Sequence, residues 1–328
     1  SQILIDEAIY FIDEAHHSDD PFLAVVWFGS PHEPYQGLPE DLALYDDLPG
    51  KYTKPVRLTS NETGRPTTRP QGEVLRERYA EITAMDRAIG SLREHLANRG
   101  LRDNTLVFYC GDNGTSADGA LGQPHRGVKA QVYEGGILVP GLIEWPARIE
   151  TPSISSCRAT TSDLLPTVCA ITGVPLPDRP LDGIDLTAVF DGVLRVRPAP
   201  LYFWQYDIER LAGMELRPYI LAELQQGTTP LVKLMGGKAT RDFRNVHHPE
   251  LSEADYNGPR AIIVDPFKLV MHDLREESTH VELCDLSSDA AEKQDVSGEH
   301  PQVVEQLRMQ LRQWQESVTR SLVGGDYR

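Results

Sequence analysis

The sequence predicts an α/β protein with a mostly parallel sheet flanked by helices and a smaller α+β subdomain at the carboxyl end. Two continuous apolar runs, at 22–28 and 105–110, are typical of strands buried on both faces of a parallel sheet. A long helical stripe separates them, which is the order of a βαβ unit. Nearer the carboxyl end, two apolar runs flank an Asp-Pro turn and predict an antiparallel pair.

Composition argues against two classes of partner. The 328 residues carry 49 Asp and Glu against 32 Lys and Arg, a net charge of −17. The sequence contains no block of clustered Lys and Arg that could follow a phosphate backbone, so we expect no nucleic acid partner. The longest apolar run, FLAVVWF at 22–28, is far shorter than the roughly eighteen residues needed to cross a bilayer, so we expect no membrane span.

The first elements follow from apolar periodicity. Residues 1–17 have the pattern of an amphipathic helix, and the run at 22–28 is bounded by Pro21 and Gly29. A long helix is then predicted to end at Gly100. Its apolar stripe consists of Leu75, Tyr79, Ile82, Met85, Ile89, Leu92 and Leu96. The second strand, TLVFYC at 105–110, completes the βαβ unit.

The later elements are shorter. A capped helix is predicted at 161–173, with Thr161 or Ser162 before it and Gly173 after it. PLYFWQY at 200–206 predicts a strand, whereas 207–258 has no pattern to which we assign an element.

The chain ends in a predicted sheet and a helix. RAIIV and FKLVM flank Asp265-Pro266 as an antiparallel pair, and VELCDL adds a strand. Pro301 opens a final helix, whose apolar face consists of Val304, Leu307, Leu311, Trp314 and Val318. We therefore predict an α/β domain over 1–195 and a small C-terminal subdomain over 196–328.

Polar residues follow both predicted parallel strands. Because such strands end at one edge of a sheet, His32 and the pair Asp112-Asn113 are expected to face a common crevice. The oxygens of Asp112 and Asn113 suit Ca²⁺ or Mg²⁺, and the flanking glycines allow both side chains to point one way. The alternative is an Asx turn that only closes the loop.

Two further residues are candidates for chemistry. Lys129 lies in a glycine-rich loop and could neutralise an anionic substrate group, although a solvated surface lysine is the alternative. His32, held between Pro31 and Glu33, could donate a proton, or it could be a loop histidine with structural hydrogen bonds.

The four cysteines are expected to be inert packing residues. Cys110, Cys157, Cys169 and Cys284 stand singly in mostly apolar surroundings, with no C-x-x-C pair.

Five segments resemble, in the same order, the later two-thirds of the type I sulfatases, and together they cover nearly all of the chain. They are FLAVVWFGSPHEPY; LVFYCGDNG; HRGVKAQVYEGGILVPGLIEWPARI; TTSDLLPTVCAITGVPLP with LDGIDL; and GPRAIIVDPFKLV followed by VELCDLSSDAAEKQDV. The resemblance implies the alkaline-phosphatase-like fold and hydrolysis of a sulfate ester on a sulfated small molecule or glycan.

The resemblance also implies roles for four residues. The family's Asp-Asn pair binds Ca²⁺ and corresponds to Asp112 and Asn113. The family's loop lysine contacts the sulfate and corresponds to Lys129. The histidine of its PHxP loop contacts sulfate or protonates the leaving alcohol, and corresponds to His32. We therefore expect all four side chains to converge on one cleft.

The chain departs from the family pattern in three places. The family's GGK is GVK here, and His125-Arg126 replaces a short apolar-basic pair. The larger departure is the absence of an early Asp pair and of the C/S-x-P-S-R motif whose Cys or Ser becomes formylglycine. We expect these in an N-terminal part of the enzyme upstream of Ser1, so that the chain alone binds Ca²⁺ weakly and is inactive.

Other interpretations stay open. A phosphatase or phosphodiesterase of the same fold would use two zinc ions and a Ser or Thr nucleophile, and the DNG…K…EGG arrangement speaks against it. A non-catalytic carbohydrate-binding fragment is the other alternative. The segment 218–250 is a candidate for the sugar side of the pocket or a structural excursion. By resemblance, the compartment is expected to be periplasmic, secreted or lysosome-like.

A last expectation concerns association. If central strands of the sheet come from an upstream part, apolar strand edges at Val25, Val26, Val107 and Phe108 are left bare. Such edges pair with other chains, so we expect residues 1–328 alone to self-associate.

Overall fold

The computed structural model describes residues 1–59, 65–120, 122–205, 253–273, 279–322 and 325–326. The chain divides into two compact units. The first holds residues 1–124 and 137–153, and the second holds 125–136 and 154–328. The predicted boundary after residue 195 falls inside the second unit, and as a domain boundary it stays a prediction.

Two helices form the centre of the first unit. The first, α1 (Gln2–His17), packs on the long α4 (Gln71–Asn98). Both were predicted from their apolar stripes, and the structure confirms them. Their buried apolar side chains include Ile5, Ala8 and Ile12 on α1 and Leu75, Met85 and Leu96 on α4. Gly100 follows α4 with φ +70°, the conformation typical of a helix C-terminus.

Short elements surround α4. They are α2 (Pro39–Leu42), α3 (Leu48–Lys51), β1 (Pro55–Thr59) and β2 (Pro66–Pro70). Strands β1 and β2 pair antiparallel. Leu58 packs in a small core with Tyr35 and Val74, which joins the hairpin to α4.

The predicted second strand is present, but its partner differs from the prediction. β3 (Val107–Cys110) pairs antiparallel with β4 (Gly141–Glu144). Every strand pair in the part of the chain that the structure describes is antiparallel, so the parallel strands expected of a βαβ unit are not formed there.

The predicted buried strand at 22–28 is wrong. The segment forms no ladder with any described residue, and Leu23, Val25 and Trp27 are 72%, 66% and 85% exposed. An apolar run indicates that a segment favours burial, but a strand also needs a neighbour whose backbone groups are free to pair.

The second unit is built on a four-stranded antiparallel sheet. Its strands, in sheet order, are β5 (Leu201–Trp204), β6 (Arg260–Val264), β7 (Phe267–Asp273) and β8 (Thr279–Asp285). Helix α8 (Pro301–Leu322) covers one face, where Leu307 and Leu311 pack against Ile262, Leu269 and Leu283. The four strands and the helix confirm the predicted C-terminal α+β arrangement.

The capped helix is also confirmed. A 3₁₀ turn, Thr161–Asp163, leads into α6 (Leu164–Thr172), and Gly173 ends it with φ +72°. The capping residue is Thr160, one position earlier than predicted, in a reciprocal capping box with Asp163. Asp163 is completely buried and pairs with Arg197 at 2.8 Å, which fixes the helix to the following segment.

Two shorter helices are α5 (Glu134–Ile137) and α7 (Thr187–Phe190). The segment at 218–250, considered above for the sugar side of a pocket, lies outside the described residues. Among the helices that the structure describes, none combines the length and hydrophobicity needed to cross a bilayer.

Candidate active site

The loop after β3 presents an unpaired carboxylate. Asp112 is exposed and Asn113 half-buried, and neither side chain has a hydrogen-bond or ion-pair partner among the described residues. The amide of Gly111 donates to the carbonyl of Pro140 at 3.2 Å. A Cβ on Gly111 would lie only 3.0 Å from Val139, so the glycine lets the loop turn sharply at the strand end.

Asp112 affects the neighbouring thiol. Burial, and then the charge of Asp112, raise the pKa of Cys110. The sulfur is therefore a poor nucleophile. All four cysteines are free thiols, two of them buried, in agreement with the expectation of packing residues.

His32 lies exposed at the end of a tight turn. Its amide donates to the carbonyl of Gly29 at 2.9 Å. Its Nδ1 lies 2.7 Å from the carbonyl oxygen of Glu33. Because a carbonyl oxygen only accepts, Nδ1 carries the proton in this contact. Nε2 is then left without a partner among the described residues, and it is the atom that can exchange a proton with a substrate.

Lys129 lies at the tip of a four-residue turn, Val128–Gln131. The amide of Gln131 donates to the carbonyl of Val128 at 3.0 Å, and Oε1 of Gln131 accepts from the amide of Val128 at 3.1 Å. Ala130 has φ +71°, which a type II turn requires at its third position. In the described part of the chain the Lys129 ammonium has no hydrogen-bond or ion-pair partner.

Two glycines allow the loop to close around this turn. A Cβ on Gly136 would lie 2.1 Å from the carbonyl oxygen of Gln131, and one on Gly127 would lie 2.8 Å from Cβ of Tyr133. Gly127 also has φ +84°. The amide of Gly135 donates to the carbonyl of Arg126 at 2.7 Å, which joins the two ends of the loop.

The flanks of the turn are held by one carboxylate of the C-terminal sheet. Nη1 of Arg126 donates to Oε1 of Glu282 on β8 at 3.0 Å. The hydroxyl of Tyr133 donates to the other oxygen of Glu282, and it also lies 3.1 Å from Nε2 of His272. The guanidinium of Arg126 lies 3.9 Å from the centre of the Tyr133 ring, a cation–π distance.

Protonation states in this cluster follow from burial and hydrogen bonds. Burial, and then the hydrogen bond to Glu282, raise the pKa of Tyr133, so its hydroxyl stays protonated. Burial raises the pKa of Glu282, but the hydrogen bonds from Tyr133 and Arg126 outweigh burial and hold that pKa below its usual value. Burial lowers the pKa of His272. At neutral pH Glu282 is therefore an ionised carboxylate that accepts hydrogen bonds from Arg126 and Tyr133.

A buried ionic cluster lies at the end of the same loop. Nζ of Lys268 lies 2.9 Å from Glu134 and 2.8 Å from Glu292, and all three side chains are at most 4% exposed. Oε2 of Glu292 accepts the amide of Glu134 at 2.6 Å. Arg158 adds a second cation, 3.4 Å from Glu134. The loop therefore enters α5 at a fixed point.

The four predicted site residues lie in both units. His32, Asp112 and Asn113 belong to the first unit, and Lys129 belongs to the second. Within the described residues, no group of three or more His, Cys, Asp or Glu side chains is gathered so as to hold a metal ion. The convergence of the four residues on one cleft therefore stays a prediction.

Comparison with known proteins identifies the family. A sequence profile of the sulfatase family matches residues 1–174, more than half of the chain and the part that contains the DNG loop, His32 and Lys129. The chain belongs to the sulfatase family. The predicted resemblance is thereby confirmed.

Individual relatives and solved structures are also similar to this chain. Human arylsulfatase A is 37% identical over 138 residues, 40% of this chain and 27% of that protein. The structure of Ps i-CgsB superposes with a TM-score of 0.67 at 20% identity, over 96% of this chain and 54% of the other. BT4656, solved with its substrate D-glucosamine-2-N,6-O-disulfate, gives a TM-score of 0.63 at 18% identity, over 96% and 69%.

These likenesses confirm the fold class and define its extent. The chain has the α/β, alkaline-phosphatase-like fold, with a C-terminal antiparallel sheet and helix. The chain spans about half the length of Ps i-CgsB, and its match covers about a quarter of arylsulfatase A.

Sequence patterns alone did not predict the residues behind the Lys129 turn. Lys268 and Glu282 lie in runs that predict strands, and charged residues in strands are ordinarily placed on the solvent face. The one signal was a lone lysine inside FKLVM, a run too apolar for a solvated strand. Its partners, Glu134 and Glu292, are distant in sequence.

Proposed function

We propose that the protein hydrolyses sulfate esters and that Lys129 is the residue of this chain that holds the sulfate group. The observation that carries the proposal is the Lys129 ammonium, which has no partner among the described residues, at the tip of the Val128–Gln131 turn and inside the range matched by the sulfatase profile. Negative charge grows on the ester oxygen as the S–O bond breaks, and a fixed cation beside the sulfate stabilises that charge.

His32 is proposed as the proton donor to the leaving alcohol. Its Nδ1 proton is held by the carbonyl of Glu33, so the ring has a fixed tautomer and Nε2 is the acidic atom once the ring is protonated. General acid catalysis of this kind contributes about 10²- to 10⁴-fold. Contact of Nε2 with a sulfate oxygen is the alternative role for the same atom.

Asp112 and Asn113 are proposed as ligands of Ca²⁺. The donor set fits a hard cation in kind, because both side chains offer oxygen and neither has a described partner. It does not fit in number, since Ca²⁺ takes six to eight oxygens. We propose that the other ligands and a formylglycine nucleophile lie upstream of Ser1. Bound Ca²⁺ would stabilise the negative charge on the sulfate oxygens.

A sulfated carbohydrate is the substrate class that we favour. BT4656, which shares the fold, is described with a disulfated glucosamine as its substrate. For this chain the sugar is a proposal. A glycan substrate is compatible with the periplasmic, secreted or lysosome-like compartment expected from the family resemblance.

The test is sulfate release by the enzyme expressed with the coding sequence that precedes Ser1. We expect hydrolysis of 4-nitrophenyl sulfate and of 6-O-sulfated glucosamine, and a loss of kcat/KM of about 10²-fold or more in Lys129→Met. Lys293→Met, which removes an exposed lysine, is the matched control. A preference for phosphate esters, or an unchanged kcat/KM in Lys129→Met, would overturn the proposal.

A second preparation tests where the nucleophile lies. Residues 1–328 alone are expected to release no sulfate, because the chemistry needs a covalent nucleophile that we place upstream. Sulfate release by this chain, lost in Lys129→Met, would show that the nucleophile is within residues 1–328.

A further inference from the structure

The turn that carries Lys129 is held on both sides by Glu282. Arg126 lies three residues before Lys129 and Tyr133 four residues after it. Arg126 donates to Oε1 of Glu282 at 3.0 Å, and Tyr133 donates to Oε2. One carboxylate, fixed on strand β8, therefore holds both flanks of the turn.

The two flanks also hold each other. Nη2 of Arg126 lies 3.0 Å from the hydroxyl of Tyr133, and the guanidinium stacks on the Tyr133 ring. The Gly135 amide closes the loop on the Arg126 carbonyl. Within this frame two hydrogen bonds between Val128 and Gln131 shape the tip. The position of the tip therefore depends on the frame.

We propose that Glu282 is a positioning residue for sulfate binding, which acts through Arg126 and Tyr133 to fix the turn that presents Lys129. The inference rests on the proposed function of Lys129. Residue 282 lies beyond the range matched by the sulfatase profile, 1–174, so the proposal gives the C-terminal sheet a part in the site.

Charge and exposure make Glu282 the informative residue to change. Its carboxylate is ionised at neutral pH because its pKa is held low by its two donors. The side chain of Arg126 is 41% exposed, so water can solvate the guanidinium when the carboxylate is replaced. Lys268, by contrast, is completely buried, and its removal would leave the buried Glu292 carboxylate without its described cation.

The experiment compares Glu282→Gln and Tyr133→Phe with wild-type residues 1–328. Hydrogen exchange of the amides of 127–131 reports order in the turn. Calorimetric titration with inorganic sulfate, against chloride at equal ionic strength, reports binding. Each variant is also made in a Lys129→Met background. Glu305→Gln, which removes an exposed carboxylate on α8, is the control for lost charge.

We expect faster exchange in the turn and sulfate binding weaker by about tenfold in Glu282→Gln, since a misplaced contact group loses most of its effect. Tyr133→Phe should move both readouts in the same direction. In the Lys129→Met background neither substitution should change sulfate affinity further, a result that a general loss of stability would not produce. Glu305→Gln should resemble wild type.

Three results would overturn the inference. Unchanged exchange and affinity in Glu282→Gln would show that the carboxylate does not order the turn. Faster exchange but unchanged sulfate affinity in Glu282→Gln, while Lys129→Met weakens binding, would show that Glu282 orders the turn without affecting sulfate binding. If Lys129→Met leaves sulfate affinity unchanged, Lys129 does not bind sulfate. That result would contradict both the proposed function of Lys129 and the inference that rests on it.

Discussion

Nζ of Lys268 lies 2.8 Å from Oε1 of Glu292, and both side chains are completely shielded from solvent. The oxygen takes no hydrogen bond of good angle, so the contact is chiefly electrostatic. Glu134 lies 2.9 Å from the same ammonium. The Lys268 ammonium therefore forms ion pairs with two buried carboxylates, one from the loop of Lys129 and one from the segment after β8.

Removing this cation should lower the stability of the folded protein. In Lys268→Met, Glu292 loses its only described cation at a position that is completely shielded from solvent, and breaking a buried pair in this way lowers the free energy of unfolding by about 3 to 5 kcal/mol. Urea unfolding followed by circular dichroism measures the loss. Lys293→Met, at an exposed position, should change it by less than about 0.5 kcal/mol. A loss below about 1 kcal/mol in Lys268→Met would contradict the expectation.

The Lys129 turn holds a strained alanine. Ala130 has φ +71°, which costs an L-residue about 1 to 2 kcal/mol. Glycine avoids that strain but loses about 0.5 to 1 kcal/mol more backbone entropy on folding. Ala130→Gly should therefore raise the free energy of unfolding by up to about 1.5 kcal/mol. The measurement is again urea unfolding.

Gly173→Ala is the reverse change at nearly the same backbone angle. Gly173 has φ +72°, and a Cβ there would meet no atom within 4 Å. The substitution adds backbone strain but reduces the entropy lost on folding, so it should lower the free energy of unfolding by up to about 1.5 kcal/mol. Opposite signs for the two variants support the strain argument, whereas a destabilised Ala130→Gly would refute it.

Elements that carry their own pattern could be predicted from the sequence. The stripe from Leu75 to Leu96 specified α4, and the two runs around Asp265-Pro266 specified the β6–β7 pair, because both depend on neighbours close in sequence. The run at 22–28 failed because periodicity identifies an apolar extended segment but not the strand it pairs with.

The candidate site also contains residues that the sequence could indicate and residues that it could not. The half-buried Lys129 and the exposed Asp112, which has no partner among the described residues, could be proposed as candidates from the sequence, since a glycine-rich polar loop at a strand end favours function over packing. Glu282 and Lys268 could not. They are respectively 153 and 139 residues beyond Lys129 in the chain, and only the folded sheet brings their strands to the loop.

The stability of the first unit should depend on pH through Tyr35. Tyr35 is 2% exposed and donates to Asp118 at 2.7 Å. Burial, and then this hydrogen bond, raise its pKa to about 12. The folded pKa is raised, so the stabilisation is complete below about pH 10, the pKa of an unfolded tyrosine, and is lost as pH rises through 12.

We expect the difference in unfolding free energy between wild type and Tyr35→Phe to shrink by about 1 kcal/mol from pH 9 to pH 11. Tyr10→Phe, which removes a hydroxyl at a position 65% exposed, is the matched control. A constant difference for Tyr35→Phe would show that its hydroxyl titrates normally in the folded protein.

The final prediction concerns the exposed apolar segment at 22–28. It runs without regular secondary structure, its backbone makes no hydrogen bond with the described residues, and Leu23, Val25 and Trp27 are mostly exposed. Such a segment presents both free backbone groups and apolar side chains, the combination that promotes strand pairing between chains.

Residues 1–328 are therefore expected to self-associate in sedimentation velocity, in a concentration-dependent manner. Val25→Lys should shift the distribution towards monomer, because a charge on an unpaired strand blocks pairing. Leu44→Lys makes the same change at an equally exposed residue, 64%, in a 3₁₀ turn, and should leave association unchanged because a turn offers no strand edge. A cooperatively melting monomer at every concentration would show that the segment at 22–28 does not pair with other chains. Equal effects of the two lysine substitutions would point instead to general surface charge as the cause of association.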